Sequence, residues 1–175
     1  ARSTFPLYHC QNCIQWDDRA QKISINDRVH LVIFTDGSAN AVNTDFLAHG
    51  GWGFYLHEES AQNSGGALTG KPTTSYRAEV RAVLEVVWRT RVPTCIVTDC
   101  KSVWAIMEKM LDQIDRNKQA EWPEDDGCHD YWETMAEILR EKWASISVRW
   151  MPSHLDEEGK RTQREAFIPQ GGNQD

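Results

Sequence analysis

Two strand-like runs of this chain each end in an aspartate, and these two residues are the first candidates for chemistry. Asp36 follows the apolar and β-branched residues 32–35, and Asp99 follows the similar run 95–98. A continuous apolar run is typical of a strand buried on both faces, and its C-terminal end lies where α/β folds build their sites. Two carboxylates at neighbouring strand ends repel each other unless a cation lies between them. The pattern therefore indicates a hard, oxygen-binding metal such as Mg²⁺.

A third carboxylate, Glu79, lies in the first turns of a helix predicted over residues 75–89. Taken alone, each acid has an ordinary explanation: an aspartate can open a turn after a strand, and a glutamate is favoured near a helix N-terminus. Together the three could hold two divalent ions roughly 3.5–4 Å apart, which suits phosphodiester hydrolysis because the ions activate water and neutralise the leaving oxygen. No serine or cysteine nucleophile is then required.

The elements that must position these acids can be predicted from the hydrophobic pattern. Residues 29–36 are the first predicted strand, and a hairpin follows over 50–69; the remaining elements are a helix at 75–89, a strand at 94–99, helices at 101–114 and 129–143, and a last strand at 146–151. This order, β-β-β-α-β-α-α-β, predicts an α/β fold with a mixed five-stranded sheet and helices on its faces. The first and fourth strands should be neighbours, which would place Asp36 beside Asp99.

The composition limits the classes of protein to which this chain can belong. The chain has 175 residues, of which 40 % are hydrophobic and eight are tryptophan, which predicts a folded single domain rather than a disordered chain. No apolar run approaches the roughly 20 residues of a membrane helix, so we expect no membrane partner. The formal net charge of −7 argues against a strong stand-alone nucleic-acid binder.

The five cysteines do not form the pattern of a disulfide framework, because their number is odd and Cys95 and Cys100 flank a candidate site residue. We therefore expect a reducing intracellular compartment, either cytoplasm or nucleus. Cys10 and Cys13 form a C-x-x-C pair that would need two further ligands to bind zinc, and an ordinary linker is the favoured explanation. Residues 1–27 are predicted to be an N-terminal extension or linker, and 28–175 the domain.

Four short motifs occur in an order that resembles a known family. They are Thr-Asp-Gly-Ser at 35–38, Tyr-Arg-Ala-Glu at 76–79, Thr-Asp-Cys-Lys-Ser at 98–102 and Met-Pro-Ser-His at 151–154. Each motif alone occurs by chance in many proteins, but the four in order resemble type 1 ribonuclease H domains over residues 29–154. The resemblance is closest to the ribonuclease H domains of retrotransposon reverse transcriptases.

This resemblance implies an endonuclease that hydrolyses the RNA strand of an RNA–DNA hybrid with two Mg²⁺ ions, for which Mn²⁺ could substitute. Asp36 matches the family's first carboxylate, which bridges both metals. Glu79 and Asp99 match the second and third, and His154 matches a loop histidine thought to assist proton transfer or product release.

The chain also departs from the family pattern. A fourth carboxylate is expected four residues after the asparagine of a Gly-Asn pair, which here would fall beyond Asp175; either Asp175 supplies this ligand imperfectly or the ligand lies beyond the last residue. The helix that normally ends the domain is also missing from the pattern. The family's basic protrusion is not evident, since residues 112–130 are mostly acidic. We therefore expect hybrid affinity to come from a reverse transcriptase region of a larger polyprotein.

Four polar residues beside the acids match positions where the family contacts sugar hydroxyls and backbone: Ser38, Asn40, Ser75 and Tyr76. For Asn40 and Ser75, turn and N-cap chemistry is an equally good interpretation. Two other functions remain open. One is a non-catalytic structural domain of the same fold, as in the connection regions of reverse transcriptases, and the other is an integrase or exonuclease of the wider fold.

Overall fold

Strand β2 is the centre of the sheet, and it carries the first candidate acid. The computed structural model describes residues 12–40, 49–68 and 72–152. The elements are β1 (Lys22–Ile25), β2 (Arg28–Asn40), β3 (His49–Tyr55), β4 (Ser64–Ala67), α1 (Ser75–Arg89), β5 (Thr94–Thr98), α2 (Lys101–Asp115), α3 (His129–Lys142), a 3₁₀ turn (Trp143–Ser145) and β6 (Ile146–Trp150). The strands form one mixed sheet in the order β4-β3-β2-β5-β6, and β1 pairs with β2.

The register of the sheet explains the two neighbouring strand ends. β2 pairs antiparallel with β3, so that Asp36 lies opposite Gly53, and parallel with β5, so that Phe34 lies opposite Val97. β5 also pairs in parallel with β6. The predicted neighbour relation between the first long strand and the Asp99 strand is therefore confirmed, and with it the ribonuclease H-like mixed α/β sheet.

Helices cover one face of the sheet and form the main core. On α1 the apolar stripe is fully buried, and α2 and α3 add further large side chains to the same core. The core side chains with no solvent exposure include Val80, Val83, Leu84, Val87, Val103, Met107, Trp132, Met135 and Leu139. The side chain of Thr74 accepts a hydrogen bond from the backbone N–H of Arg77 and so caps α1. The stripe at i, i+3, i+4 and i+7 thus did predict the helix that carries Glu79.

The opposite face of the sheet has a smaller apolar cluster. Val32 and Phe34 of β2 pack there with Cys95 and Val97 of β5 and with Met151. Side chains alternate between faces along a strand, so β2 and β5 need apolar residues at every position in order to serve both clusters. This is the physical reason for the continuous apolar runs before Asp36 and Asp99.

Within the described residues the sheet has six strands rather than the five that the sequence predicted. The additional strand, β1, lies in the segment that we predicted as an extension, and it forms a hairpin with β2 through Asn26 and Asp27, both of which have positive φ angles. The strand is short and half-exposed, so its hydrophobic pattern is weak, but Asn-Asp is a recognisable two-residue hairpin turn. Ile14 of the same segment is also buried and bridges to Thr90.

Two other expectations, on the length of the first strand and on membrane-spanning helices, can be compared with the described elements. β2 continues to Asn40, four residues past the predicted end of the first strand, because β3 pairs with it along that length. In the described ranges, none of the helices has the length and apolar character needed to cross a bilayer.

Candidate metal centre

Three elements bring the three predicted acids together. Asp36 lies within β2, Glu79 within the second turn of α1, and Asp99 directly after β5. Each offers a carboxylate oxygen, and these oxygens all lie within 4.8 Å of one another. Asp36 is exposed, Asp99 is half-buried and Glu79 is buried, so the group opens to solvent on the side of the two aspartates.

Gly37 allows α1 to approach β2 closely enough to form this group. A Cβ atom at Gly37 would lie 2.4 Å from the carbonyl carbon of Ala78 and 2.4 Å from the backbone nitrogen of Glu79. Both atoms belong to the helix backbone, so a larger residue would fit only if the whole helix shifted, and glycine is the residue that fits the structure as it stands. The sequence motif contained Gly37, but hydrophobic periodicity gave no sign of this contact.

The buried position of Glu79 changes its proton affinity. Burial, together with the nearby charges of Asp99 and Asp36, raises the pKa of Glu79 to about 9. A hydrogen bond from the backbone N–H of Gly37 acts in the opposite direction. One carboxylate oxygen, Oε2, is buried and has no hydrogen-bond partner among the described residues. Such a group favours either a bound proton or a cation.

Hydrogen bonds on both sides hold the two strand ends in place. The hydroxyl of Thr35 donates to the carbonyl of Val97 at 3.2 Å and so links β2 to β5 directly before the aspartates. After β5, the backbone N–H of Cys100 donates to the hydroxyl of Thr98 at 3.1 Å. Trp150, at the end of β6, donates from its indole nitrogen to the carbonyl of Asp99 at 3.1 Å.

These residues fit a hard divalent cation. Carboxylate oxygens are the ligands that Mg²⁺ prefers, and the unpartnered buried oxygen of Glu79 is an acceptor that such an ion would satisfy. A cation would also relieve the repulsion among three acids that lie this close. Asp36, Glu79 and Asp99 are therefore the residues that could hold a metal in the described part of the chain.

The other predicted site residues lie partly around the three acids and partly outside the described residues. Ser38 is exposed on β2 beyond Asp36, and Ser75 is exposed at the first position of α1. The N-cap is Thr74, so the N-cap interpretation of Ser75 is wrong. The hydroxyl of Tyr76 donates to Asp126 Oδ2 at 2.5 Å. His154, Asp175 and the side chain of Asn40 lie outside the described residues.

Asp126 is a structural residue that the sequence did not single out. Its carboxylate accepts hydrogen bonds from the Tyr76 hydroxyl, from the indole of Trp132 at 2.9 Å, and from the backbone N–H of Cys128 at 3.0 Å. This carboxylate ties the acidic segment after α2 to the start of α1 and to α3. The residue is one of many acids in that segment, and composition alone could not distinguish it.

Arg77 fixes the start of α1 against α3 in a second way. Its guanidinium is almost fully buried, donates to both carboxylate oxygens of Asp130 at 2.8 Å, and lies 3.8 Å from the centre of the Tyr131 ring. The hydrogen bonds from Arg77 lower the pKa of Asp130. The turn of α1 that carries Glu79 is therefore held on both sides, by β2 and by α3.

Comparison with solved structures shows the same fold in retroviral proteins. A solved foamy viral protease-reverse transcriptase in complex with dsDNA aligns over 81 % of this chain and 92 % of that chain, with a TM-score of 0.52 and 19 % identity. The solution structure of the prototype foamy virus RNase H domain aligns over 82 % of this chain and 91 % of that chain, with a TM-score of 0.53 and 19 % identity.

A longer protein shares this fold as well. The native prototype foamy virus protease-reverse transcriptase matches with a TM-score of 0.55 and 17 % identity over 98 % of this chain, which spans only 22 % of that protein. Curated proteins offer no match to the sequence.

The family model for RNase H matches residues 28–165, which is most of the chain. The match includes all three clustered carboxylates and His154. Together with the mixed sheet and the site at its rim, it shows that the chain belongs to the RNase H family.

Proposed function

We propose that the chain is a metal-dependent endonuclease that hydrolyses the RNA strand of RNA–DNA hybrids. The observation that carries this proposal is the convergence of Asp36, Glu79 and Asp99, with Glu79 buried and its Oε2 oxygen unpartnered. A structural domain of the same fold would gain nothing from three clustered carboxyl groups, one of them buried with an unpartnered oxygen. Membership of the RNase H family supports the same substrate class.

Two Mg²⁺ ions, or Mn²⁺ in their place, would supply the activated water and the neutralising charge at the leaving oxygen. Asp36 from β2 would hold these ions together with Glu79 and Asp99 from the adjacent elements. Glu79 would give up its proton when the site fills, since its pKa of about 9 keeps it protonated at neutral pH without a cation. We assign the fourth ligand to Asp175 or to a residue beyond it, and proton transfer or product release to His154.

Substrate contacts are assigned to the polar residues around the acids. Ser38 and Ser75 are exposed and able to donate to sugar or phosphate oxygens, and Asn40 follows on the same strand. The hydroxyl of Tyr76 donates its proton to Asp126, so towards the hybrid it could act only as an acceptor. A contact to the 2′-hydroxyl is the feature by which such a site would distinguish RNA from DNA.

We further propose that the chain works beside a reverse transcriptase region of a retroelement polyprotein, within a reducing intracellular compartment. The foamy virus relative, in which this fold occupies only part of a longer chain, supports the first point. Cys95, Cys100 and Cys128 are thiols rather than disulfides, which is compatible with the second.

The test is cleavage of a hybrid labelled separately on its RNA and DNA strands, with and without Mg²⁺. The native chain should cut only the RNA strand and only with metal. Asp99→Asn should lower the rate at least roughly a hundredfold, because even partners of metal ligands are worth about 10–100-fold. Asp18→Asn, at an exposed residue remote from the site in sequence, is the matched control and should cut normally. Cleavage by Asp99→Asn at the native rate would reject the assignment, and absence of metal-dependent cleavage by the native chain would favour a structural domain.

A further inference from the structure

Asp99 differs from the other two acids because it lies between two elements, after β5 and before α2. Asp36 is paired with Gly53 inside the sheet, and Glu79 lies inside a helix. Asp99 instead follows the last residue of β5, beyond the final register pairs of that strand with β2 and with β6. The direction in which its side chain leaves the backbone therefore depends on the turn between β5 and α2.

The indole of Trp150 reaches that turn. Trp150 ends β6, where it is the register partner of Thr98, and its Nε1 donates to the Asp99 carbonyl at 3.1 Å. The peptide plane before Asp99 is held by the hydrogen bond from the backbone N–H of Met151 to the carbonyl of Thr98 at 2.9 Å, and the Trp150 bond holds the plane after it. With both planes held, the direction of the bond from Cα to the side chain of Asp99 is set. Lys101 places its ammonium 5.4 Å from the centre of the Trp150 ring, so a cation–π contact holds the indole from the start of α2.

We propose that Trp150 is a positioning residue for the metal centre, acting on Asp99 through this hydrogen bond. The inference rests on the proposed function, since it assumes that Asp99 binds a cation. Outer partners that orient a metal ligand typically change metal affinity or activity by about 10–100-fold. The Trp150 bond acts on the backbone of the ligand rather than on its carboxylate, so we expect an effect near the lower end of that range.

The experiment measures Mn²⁺ binding without substrate by electron paramagnetic resonance. It compares the native chain with Trp150→Phe and Trp122→Phe. Trp122 is the matched control because it is also half-buried and its indole donates to His129 at 3.0 Å rather than to the site. The dissociation constant for Mn²⁺ should rise on the order of tenfold in Trp150→Phe only. Hybrid cleavage by Trp150→Phe should return to near the native rate at saturating Mn²⁺, because the ligand is still present.

Other outcomes overturn either this proposal or the nuclease function. Equal Mn²⁺ binding by the two phenylalanine variants would overturn it, and so would a lost cleavage rate that saturating Mn²⁺ does not restore. If the native chain binds Mn²⁺ but cuts no hybrid, the nuclease function fails while the binding comparison still decides the role of Trp150. If the native chain binds no Mn²⁺ and resembles Asp99→Asn, both proposals fail.

A second replacement covers the case in which Trp150→Phe does not fold. Exchange of Trp150 for 3-benzothienylalanine keeps the shape of the bicyclic ring and replaces the N–H donor with sulfur. The same weakening of Mn²⁺ binding is expected from this change. Unchanged Mn²⁺ binding would show that the ring packs but that its hydrogen bond does not position Asp99.

Discussion

At the scale of single residues, Glu79 is the group whose environment departs furthest from that of a surface acid. The sequence placed it near a helix N-terminus, where a glutamate is commonly exposed, yet it is only 8 % exposed and faces two aspartates. Sequence motifs could nominate it, because its spacing matched a family pattern. Its burial depends on the close approach of α1 to β2 at Gly37, which no local pattern of the sequence encodes.

The pKa of Glu79 predicts how stability changes with pH. The pKa is about 9 in the folded chain, against 4.5 for an ordinary glutamate, so the folded state binds more protons than the unfolded state between these values. In the metal-free chain, the contribution of Glu79 to the free energy of unfolding should therefore be fully present below about pH 4.5. It should fall as the pH rises towards about 9. Thermal unfolding between about pH 5 and pH 8 should show this decline.

Glu79→Gln removes the ionisation and should flatten the decline, whereas Glu141→Gln, at an exposed residue of α3, should leave it unchanged. Saturating Mg²⁺ should also flatten it in the native chain, because the cation replaces the proton. A decline of the same slope in Glu79→Gln and in the native chain would mean that another group is responsible.

At the scale of elements, periodic patterns predicted the helices and long strands well and the irregular contacts poorly. α1 was predicted with its observed bounds because a wide apolar stripe must face the core. β1 was missed because four half-exposed residues have little hydrophobic pattern, although the Asn-Asp turn beside it was visible. The hydrogen bond from Tyr76 to Asp126 and the one from Trp150 to Asp99 join residues 50 and 51 positions apart, so no local rule could have found them.

The contact between β2 and α1 gives a prediction at this scale. Gly37→Ala would place a methyl group 2.4 Å from two backbone atoms of α1, so the helix must shift or the chain must lose stability. We expect a loss of about 1–3 kcal/mol, which is typical of overpacking, together with a loss of metal binding. Chemical denaturation and Mn²⁺ titration would measure the two effects.

Gly53→Ala is the matched control for Gly37→Ala, because Gly53 is the register partner of Asp36 and an added methyl there would come no closer than 3.6 Å to Ser64. This control should change stability by less than Gly37→Ala and should keep metal binding. Equal effects of the two substitutions would mean that the close approach of α1 is not what Gly37 provides.

At the scale of the whole molecule, charge limits what the chain can bind unaided. The formal net charge is −7, and the segment between α2 and α3 adds exposed acids rather than a basic protrusion. Phosphate affinity comes mainly from lysine and arginine, and the logarithm of the binding constant falls by about 0.9 per neutralised phosphate for each tenfold increase in salt. Because this acidic chain can make few such phosphate contacts, we expect it to bind nucleic acid weakly and with a shallow salt dependence.

We therefore expect the isolated chain to bind an RNA–DNA hybrid no tighter than about micromolar near physiological salt, and the addition of a reverse transcriptase region to tighten it. Fluorescence anisotropy with the Asp99→Asn variant would measure this affinity without cutting the hybrid. Nanomolar binding by the isolated chain would contradict the need for a partner region.

The central claim is that three acids distant in sequence converge to bind divalent cations. Crystals grown with Mn²⁺, and measured for the anomalous scattering of manganese, would test it most directly. We predict at least one manganese peak bounded by the carboxylates of Asp36, Glu79 and Asp99, and no peak there in Asp99→Asn crystals. Native crystals without manganese between these side chains at saturating Mn²⁺ would contradict the claim.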